Sequence, residues 1–307
     1  MSNPRADFIW MDGKLVPWDE ANVHIMTHTL HYGLGMFEGI RCYRRADGRS
    51  HVFRLREHLR RLQDSAHMSR LELPFSVETL ATACKETLKA NRQEEAYLRP
   101  LVFIGDGAMG LGALHNPTRV AVISWQWGAY LGDKGLREGI RAKISSFQRI
   151  HPNTLMNKGK IVGHYVNSIM AKREALEAGY DEAILLDHEG YVCEASGENI
   201  FVVRDGVVRT TPLGSSILGG ITRDTVITIL RDAGIRVEET RFAREELYVA
   251  DEVFFCGTAA EVTPVREVDN RRVGAGKVGE VTSLVQRTFF DVVKGTAESY
   301  PQWLDWV

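Results

Sequence analysis

The order of hydrophobic and polar positions predicts that the first half of the chain mixes strands with helices. Residues 7–18 read as two short strands around Asp12-Gly13, a pair that favours a two-residue hairpin turn. Apolar side chains at helical spacing predict a helix over residues 55–70 and a second helix capped by Ser76. Their apolar stripes are Leu59, Leu62 and Ala66, and Leu80, Ala83, Cys84 and Leu88. Strand-like runs follow at residues 97–104 and 119–125.

The second half follows a stretch rich in glycine, residues 127–139, which we interpret as an interdomain loop. Beyond it we predict strands at residues 140–148, 182–186 and 199–203, with Asp205-Gly206 as another hairpin turn, and helices at residues 165–178, 222–233 and 279–293. In the first of these helices we expect Ile169, Met170 and Leu176 to point inward. No regular alternation of strand and helix and no repeat is visible, so the predicted fold class is α+β. The predicted domains are residues 1–126, which are smaller, and residues 140–307.

The composition excludes several classes of protein. A chain of 307 residues, 44% hydrophobic and 25% charged, is an ordinary globular chain that is long enough for two domains. A formal net charge of −2 gives no reason to expect a nucleic acid or an acidic membrane surface as a partner. No apolar run approaches the roughly 20 residues that would span a bilayer.

The cysteines and the start of the chain predict a cytoplasmic protein. Four cysteines are widely spaced, at Cys42, Cys84, Cys193 and Cys256, and form no C-x-x-C pair, so neither a zinc site nor a disulfide framework is indicated. Polar residues follow Met1, unlike the apolar core of a signal peptide.

Two lysines, Lys158 and Lys160, lie between a predicted strand and a predicted helix in PNTLMNKGKIVGHYVNS, residues 152–168. A lysine amine can form a Schiff base with an aldehyde when burial or nearby cations lower its pKa enough to free the lone pair. Most loop lysines are solvated instead. This motif alone therefore leaves both possibilities open.

A second motif, EASGEN at residues 194–199, places Glu194 and Glu198 four positions apart at a turn. A buried carboxylate that faces a pyridine nitrogen would hold that nitrogen protonated. Without a further signal, a pair of solvated turn acids is the commoner arrangement.

Two further segments could approach an anion closely. In SSILGGITRDTV, residues 215–226, Gly219-Gly220 leads into Thr222 at a predicted helix start, where free N–H groups and a hydroxyl suit a phosphate. In CGTAA, residues 256–260, small side chains follow a predicted strand at 252–255. Each segment is weak alone, but a lysine, a carboxylate and two such cradles in this order indicate one site.

Long motifs extend over nearly the whole chain. They are DFIWMDGKLVPWDEANVH, HYGLGMFEGIRCY, REHLRRL, YLRPL, WGAYLG, PNT…KGK, EASGENIF, ILGGITRD and FFCGTAAEVTPV. In these motifs the chain resembles the branched-chain amino acid aminotransferases, pyridoxal-5′-phosphate (PLP) enzymes of fold type IV. The resemblance implies two α/β domains with the cofactor between them, and a homodimer or higher homo-oligomer.

The resemblance also implies roles for individual residues at the cofactor. Lys160 matches the lysine that carries PLP, because it stands five residues before Tyr165, and Lys158 is then only a neighbour. Tyr165 matches the residue that bonds the phenolic oxygen, and Glu194 matches the partner of the pyridine nitrogen. Arg61 matches the arginine that binds the phosphate, with a solvated Arg60 beside it. The rest of the phosphate cradle would be Leu218, Ile221, Thr222 and Thr258, partly through backbone N–H groups.

The substrate site follows from the same resemblance. Tyr97 and the amides of Thr258 and Ala259 match binders of the α-carboxylate. Arg99 in YLRPL matches the arginine that takes the distal carboxylate of glutamate; a salt link between domains is the alternative for this residue. The apolar wall would consist of Tyr32, Phe37, Met109, Tyr130 and Ala260, with Tyr32 and Met109 as candidates for contribution from a partner subunit.

The chain departs from its relatives beside the cofactor lysine. Leu155, Met156 and Asn157 stand where relatives often have smaller residues, and Val162 and His164 replace the commoner Gly and Asn. These departures could alter the range of substrates.

The implied reaction moves the amino group of L-leucine, L-isoleucine or L-valine to 2-oxoglutarate, giving branched-chain 2-oxo acids and L-glutamate. The nearest alternatives share cofactor and fold: a D-amino acid aminotransferase, an (R)-amine transaminase or an aminodeoxychorismate lyase. An alternative of another class is a non-catalytic small-molecule binding protein, against which Lys160, Tyr165 and Glu194 argue together.

Overall fold

The computed structural model describes residues 5–128 and 131–307. Its backbone contacts divide the chain into two compact units. Unit 1 comprises Met1–Trp127, Gly159–Gly163 and Val292–Val307, and unit 2 comprises Gly128–Lys158 and His164–Asp291. None of the helices within the described ranges is long and apolar enough to cross a membrane.

The elements up to the first unit boundary are strands with three intervening helices. In chain order they are β1 Phe8–Met11, β2 Lys14–Pro17, α1 His28–Tyr32, β3 Gly35–Phe37, β4 Ile40–Arg44, β5 Ser50–Phe53, α2 Leu55–Met68, α3 Val77–Ala90, β6 Ala96–Ile104 and β7 Thr118–Trp125. A short 3-10 turn, Trp18–Glu20, follows β2.

The remaining elements continue the mixture. They are α4 Gly132–Glu138, β8 Ile140–Gln148, α5 Tyr165–Glu177, β9 Glu182–Leu186, β10 Val192–Ala195, β11 Asn199–Arg204, β12 Val207–Thr210, α6 Ile221–Asp232, β13 Val237–Glu239, α7 Arg244–Tyr248, β14 Glu252–Gly257, β15 Glu261–Val268, β16 Arg271–Arg272, α8 Glu280–Val293 and β17 Leu304–Trp306. Further 3-10 turns lie at Val162–His164 and Pro301–Trp303. The predicted α+β class is confirmed.

Unit 1 is built on one sheet in the order β17-β5-β4-β6-β7-β1-β2, with β3 beside β6. The predicted hairpin is present: β1 and β2 pair with Met11 opposite Lys14, and Asp12 and Gly13 have φ of 49° and 100°. Two positive φ values suit the primed turns that match strand twist. The turn residues therefore set the register of this hairpin.

Helices α2 and α3 cover one face of this sheet. Their predicted stripes are buried together with strand residues such as Ile40, Leu98 and Val122. Ser76 caps α3 as predicted, because its Oγ accepts the N–H of Thr79 at 3.1 Å.

Unit 2 is built on a second sheet in the order β10-β9-β8-β15-β14-β11-β12-β13, with β16 beside β15. Strand β8 is parallel to both β9 and β15, whereas β14 is antiparallel to its neighbours β11 and β15. The second predicted hairpin is confirmed: Asp205 and Gly206 join β11 to β12 with φ of 50° and 75°.

Helix α5 was predicted at the right place but with the wrong face inward. Its buried residues are Ser168, Ala171 and Ala175, at i, i+3 and i+7 spacing. Ala171 and Ala175 pack with residues of β9 in a small core. The three side chains expected inside, Ile169, Met170 and Leu176, are 46%, 44% and 53% exposed. Small side chains let the helix backbone lie close to the sheet, and the larger apolar residues are left on its outer side.

Two segments cluster with unit 1 although they follow it at a distance along the chain. β17 pairs with β5, and Ile161 forms an antiparallel bridge with Met36 of β3. The predicted interdomain loop contains helix α4. The boundary between the first segments of unit 1 and unit 2 lies after Trp127. The domain ranges given by the sequence remain a prediction. They are contiguous, whereas the two units each consist of separate segments of the chain.

Candidate active site

Lys160 has a backbone that is fixed from both sides. Its carbonyl accepts the N–H of Phe37 at 3.1 Å, and its own N–H donates to Ser65 Oγ at 3.0 Å. The side chain is half-buried, with Nζ 5.0 Å from the centre of the Phe37 ring. An amine on so fixed a backbone suits a covalent attachment point.

Lys158 has different surroundings. Its Nζ donates to the carbonyls of Ser215 at 3.1 Å and Ile217 at 2.9 Å. Burial lowers the pKa of this amine, and the Glu194 carboxylate acts in the opposite direction. Lys158 therefore ties its loop to the segment that precedes α6, which fits the prediction that it is a neighbour and not the cofactor lysine.

Glu194 lies on β10 and is buried. Its Oε1 is 2.7 Å from Nε of Arg149, and its Oε2 accepts the side-chain amide of Asn199 and the N–H of Leu218, both at 3.1 Å. Burial raises the pKa of Glu194, while Arg149 and the Leu218 N–H act against the rise. The carboxylate is thus fixed in orientation inside unit 2.

Glu198 is buried as well, so the interpretation of EASGEN as a pair of solvated turn acids is wrong. Burial and the neighbouring Glu182 carboxylate raise the pKa of Glu198 to about 8. Glu182 is itself held by Lys172 at 2.6 Å and by Ser196 Oγ at 2.6 Å. The motif forms a tight turn between β10 and β11, in which the Ala195 N–H donates to the Glu198 carbonyl at 2.8 Å.

The backbone N–H of Leu218 orients the Glu194 carboxylate. That N–H is engaged by Glu194, and the Leu218 carbonyl accepts Asn199 Nδ2 at 3.0 Å. Leu218 therefore lies beside Glu194, and its assignment to the phosphate cradle stays a prediction. Gly220 is required here, because a Cβ on it would lie 2.0 Å from Asn199 Oδ1.

The start of α6 has the features of an anion cradle. The helix begins at Ile221 after Gly220, an N-cap residue that has no side chain with which to cap it. Ile221 and Thr222 are buried there. The first N–H groups of a helix have no partner within the helix, and its dipole favours a negative group at that end.

Thr258, Ala259 and Ala260 form the turn that follows β14. Thr258 and Ala259 are half-buried, and the Ala260 carbonyl accepts Thr263 Oγ1 at 2.7 Å. The turn leads into Glu261, whose φ of 56° is left-handed. Unit 2 thus carries Tyr165, Glu194, Ile221, Thr222 and these turn residues.

Arg61, on α2 of unit 1, is held by a buried carboxylate. Its Nε and Nη2 lie 2.7 and 2.8 Å from the two oxygens of Glu38, and His58 Nδ1 lies 2.7 Å from Glu38 Oε2. Arg60 is exposed, as predicted.

Arg99 lies on β6 above a set of aromatic rings. Its guanidinium carbon is 4.5 Å from the centre of the Phe37 ring, 5.5 Å from that of Tyr97 and 5.6 Å from that of Trp125. Among the described residues it forms no ion pair, and its buried Nε has no hydrogen-bond partner. Tyr97 is buried, with its ring against Trp125 and Trp127.

The remaining predicted wall residues lie partly at the surface. Tyr32 Oη accepts the N–H of Gly110 at 3.1 Å, and His28 Nε2 is 3.0 Å from the Gly110 carbonyl, so α1 anchors the loop that carries Met109. Tyr32 and Met109 are exposed in the single chain. Tyr130 lies outside the described residues.

Sequence reasoning missed the residues that hold the site in place. These are Glu38, His58, Ser65, Arg149 and Asn199. One signal was available: His58, Arg61 and Ser65 recur at i, i+3 and i+7 within a predicted helix, so they share a face. Glu38 and Arg149 offered no local signal, because their partners are distant in sequence.

Comparisons with known proteins agree with this arrangement. Residues 35–268 match the family model described as amino-transferase class IV. A branched-chain-amino-acid aminotransferase of Pseudomonas aeruginosa is 47% identical over 299 residues, which is 97% of each chain. The crystal structure of the Escherichia coli branched-chain amino acid aminotransferase superposes with a TM-score of 0.96 at 46% identity, covering 98% of this chain and 99% of that one.

A third relative, the T.th. branched-chain amino acid aminotransferase, has been solved with two ligands. Its structures have TM-scores of 0.94 in complex with N-(5′-phosphopyridoxyl)-L-glutamate and 0.93 in complex with 4-methylvaleric acid, at 46% and 45% identity. Both structures cover 98% of this chain, and the chain covers 99% of each. The chain belongs to the class IV amino-transferase family.

Proposed function

We propose that this protein is a PLP-dependent branched-chain-amino-acid aminotransferase, which exchanges the amino group of L-leucine, L-isoleucine or L-valine with 2-oxoglutarate. Family membership and relatives that are 46–47% identical over the whole chain support the activity and the cofactor. We further propose that it acts in the cytoplasm as a homodimer or a higher homo-oligomer.

The residues present fit PLP. A phosphate needs several N–H donors, and the first N–H groups of α6 and the Arg61 guanidinium are of the kind that would bind it. A pyridine nitrogen needs an oriented carboxylate, which Glu194 supplies. An aldehyde needs an amine on a fixed backbone, which Lys160 supplies. Tyr165, the first residue of α5, would donate to the phenolic oxygen.

The chemistry divides between cofactor and protein. When bound, PLP supplies an aldehyde that accepts the amino group and a ring that takes up the electrons left at Cα. The Lys160 amine would act as the general base on the Cα proton. Glu194 holds a proton at the pyridine nitrogen, with Arg149 and Asn199 keeping its carboxylate in place. Arg61 and Thr222 would bind the phosphate, and Thr258 and Ala259 would bind the α-carboxylate.

The substrate assignment rests on the position of the Arg99 guanidinium, 4.5 Å from the centre of the Phe37 ring. Phe37 offers an apolar surface to an aliphatic side chain, and the adjacent guanidinium, which pairs with no carboxylate of the described residues, can pair with the distal carboxylate of glutamate. One pocket must accept both kinds of side chain in turn. The relative solved with a glutamate adduct and with 4-methylvaleric acid accommodates both kinds.

The test is a panel of amino donors followed through the visible absorption of the lysine-bound cofactor. We expect L-leucine and L-glutamate to bleach the band, and D-alanine and an (R)-arylamine to leave it. Lys160→Ala should lack the band and all turnover, whereas Lys158→Ala should retain both. Bleaching by D-alanine in preference to L-leucine would assign the chain to another activity of the same fold.

A further inference from the structure

Helix α2 presents a polar stripe inside unit 1. His58, Arg61 and Ser65 recur at i, i+3 and i+7, and His58 and Ser65 are buried. Beside them runs the apolar stripe of Leu55, Leu59, Leu62 and Ala66. Buried polar side chains are kept only when they have partners, so the partners of this stripe indicate its purpose.

The partner of two of these side chains is Glu38, which follows β3 and has no exposed surface. Its two oxygens accept Nε and Nη2 of Arg61 in a fork, and one of them also accepts His58 Nδ1 at 2.7 Å. Its backbone N–H donates to the Pro100 carbonyl at 2.9 Å. The carboxylate is therefore fixed by its own strand and by two side chains.

The charges of this group are set by its surroundings. Burial by itself raises the pKa of Glu38, but the Arg61 guanidinium and the hydrogen bonds outweigh it and hold the pKa below its usual range. Burial lowers the pKa of His58, so the imidazole is neutral and carries its hydrogen on Nδ1, toward Glu38. Glu38 and Arg61 form the ion pair, and His58 supplies a neutral hydrogen bond.

We propose that Glu38 and His58 are positioning residues for cofactor binding, which hold the Arg61 guanidinium in one orientation for binding the phosphate. This inference rests on the proposed PLP function. The fork to Glu38 uses Nε and Nη2, two of the guanidinium's three nitrogens, and so fixes the plane and the direction of the whole group. An arginine edge with two parallel N–H groups matches two oxygens of a phosphate.

The Glu38 carboxylate would favour phosphate binding by orienting Arg61, and not by adding charge. The Glu38 carboxylate offsets part of the attraction between Arg61 and an anion, so the pair is a poor choice if only charge mattered. A flexible arginine loses rotamer freedom when it binds, whereas a held arginine has lost that freedom already. His58 fixes the carboxylate, and the carboxylate fixes the guanidinium.

Lys160 is anchored by other contacts, which allows a selective test. Its backbone bonds Ser65 Oγ and Phe37 N–H, and Ser65 Oγ also donates to the Arg61 carbonyl at 2.8 Å. None of these bonds involves the side chains of Glu38 or His58. A change at His58 should thus alter the binding of a phosphate while Lys160 still reacts with an aldehyde.

The experiment measures the dissociation constants of PLP and of pyridoxal, which lacks the phosphate, through the visible band of the lysine-bound aldehyde. In His58→Leu the hydrogen bond to Glu38 is lost, and the PLP dissociation constant should rise about tenfold or more, as for a lost bond to a charged group. That of pyridoxal should change by no more than about twofold. His58→Asn, whose Nδ2 can replace Nδ1, should restore PLP affinity, and Arg60→Ala on the exposed face should leave both constants unchanged.

The outcomes separate this inference from the proposed function. Equal weakening of PLP and pyridoxal in His58→Leu would show a structural role only, and unchanged PLP affinity would show that Arg61 needs no support; either result overturns the inference. Absence of the band in the wild-type protein would overturn the proposed function instead. Glu38→Gln should show the same selective loss of PLP affinity as His58→Leu. If Glu38→Gln does not fold, the comparison of His58→Leu with His58→Asn still tests the inference.

Discussion

Arg99 has an environment that few arginines have: three aromatic rings and no carboxylate within the described residues. A salt link between domains, the alternative that the sequence left open, is not present among those residues. Leucine offers the guanidinium no charge, and its side chain should pack on the ring of Phe37. The distal carboxylate of glutamate should pair with Arg99 through charge-assisted hydrogen bonds of roughly 1.5–3 kcal/mol each.

Arg99→Ala should therefore separate the two half-reactions. We expect the glutamate half-reaction to slow by roughly one to two orders of magnitude and the leucine half-reaction to change much less, because leucine loses no ionic partner. Single-turnover kinetics with each amino acid measure this directly. Arg119→Ala, at an exposed salt bridge with Asp12 in the same unit, is the matched control and should affect neither. Equal losses with leucine and glutamate would make Arg99 a structural residue.

Single residues also show where sequence reasoning stops. Lys160, Glu194 and Arg61 could be named because each lies in a long motif. Their supports could not, because the contacts join distant parts of the chain: Glu38 and Arg61 are 23 positions apart, and Arg149 meets Glu194 only after β8, α5 and β9 have folded. The burial of Glu198 was missed for the same reason. A turn motif carries no information about which unit folds around it.

At the scale of elements, periodicity predicted the helices and strands well, with bounds that agree within one residue for β8, β9, α6 and α8. The hairpin turns at Asp12-Gly13 and Asp205-Gly206 were predictable because their positive φ values require such residues. The inward face of α5 was not predictable from hydrophobicity. Close approach of a helix to a sheet favours small residues, and a scale of hydrophobicity ranks alanine and serine below isoleucine and methionine.

The orientation of α5 can be tested by two substitutions. Ala171→Leu forces extra atoms between the helix and β9, and it should lower the free energy of unfolding by about 1–3 kcal/mol. Ile169→Ala removes a side chain that is nearly half exposed, and it should cost less than about 1 kcal/mol. Urea denaturation of both variants gives the two values. A loss of about 2–5 kcal/mol for Ile169→Ala, as for a core residue, would restore the orientation first predicted.

At the scale of the whole molecule, buried acids make stability depend on pH. Glu198 and Glu182 lie in the same interior of unit 2, with Lys172 paired to Glu182 and Glu194 nearby. Lys172 pairs with Glu182 and Arg149 pairs with Glu194, so neither cation is paired with Glu198. The structure resolves this by keeping Glu198 protonated up to a pKa of about 8, against an ordinary value of 4.5.

The sign of the effect follows from proton binding. Between pH 4.5 and about 8 the folded chain holds a proton on Glu198 that the unfolded chain has released. The free energy of unfolding therefore falls as pH rises through this window, by at most about 1.4 kcal/mol per pH unit for one proton. The favourable contribution is complete below pH 4.5 and is lost as pH passes the folded pKa. In Glu198→Gln the side chain is neutral at every pH, so this slope should disappear.

We expect wild-type protein and Glu198→Gln to have similar stability at pH 5 and the variant to be the more stable at pH 8, where the wild-type chain must bury an ionised carboxylate. Urea denaturation at pH 5, 6.5 and 8, at one protein concentration and with saturating PLP, measures the difference while assembly and cofactor binding stay constant. Glu177→Gln, which changes an exposed carboxylate of α5, is the matched control and should keep the wild-type slope. All other titrating groups are shared by the three proteins and cancel in the comparison. If Glu198→Gln and the wild-type protein lost stability in parallel from pH 5 to pH 8, the buried proton would have to reside on another group, and Glu198 would be ionised in the folded protein.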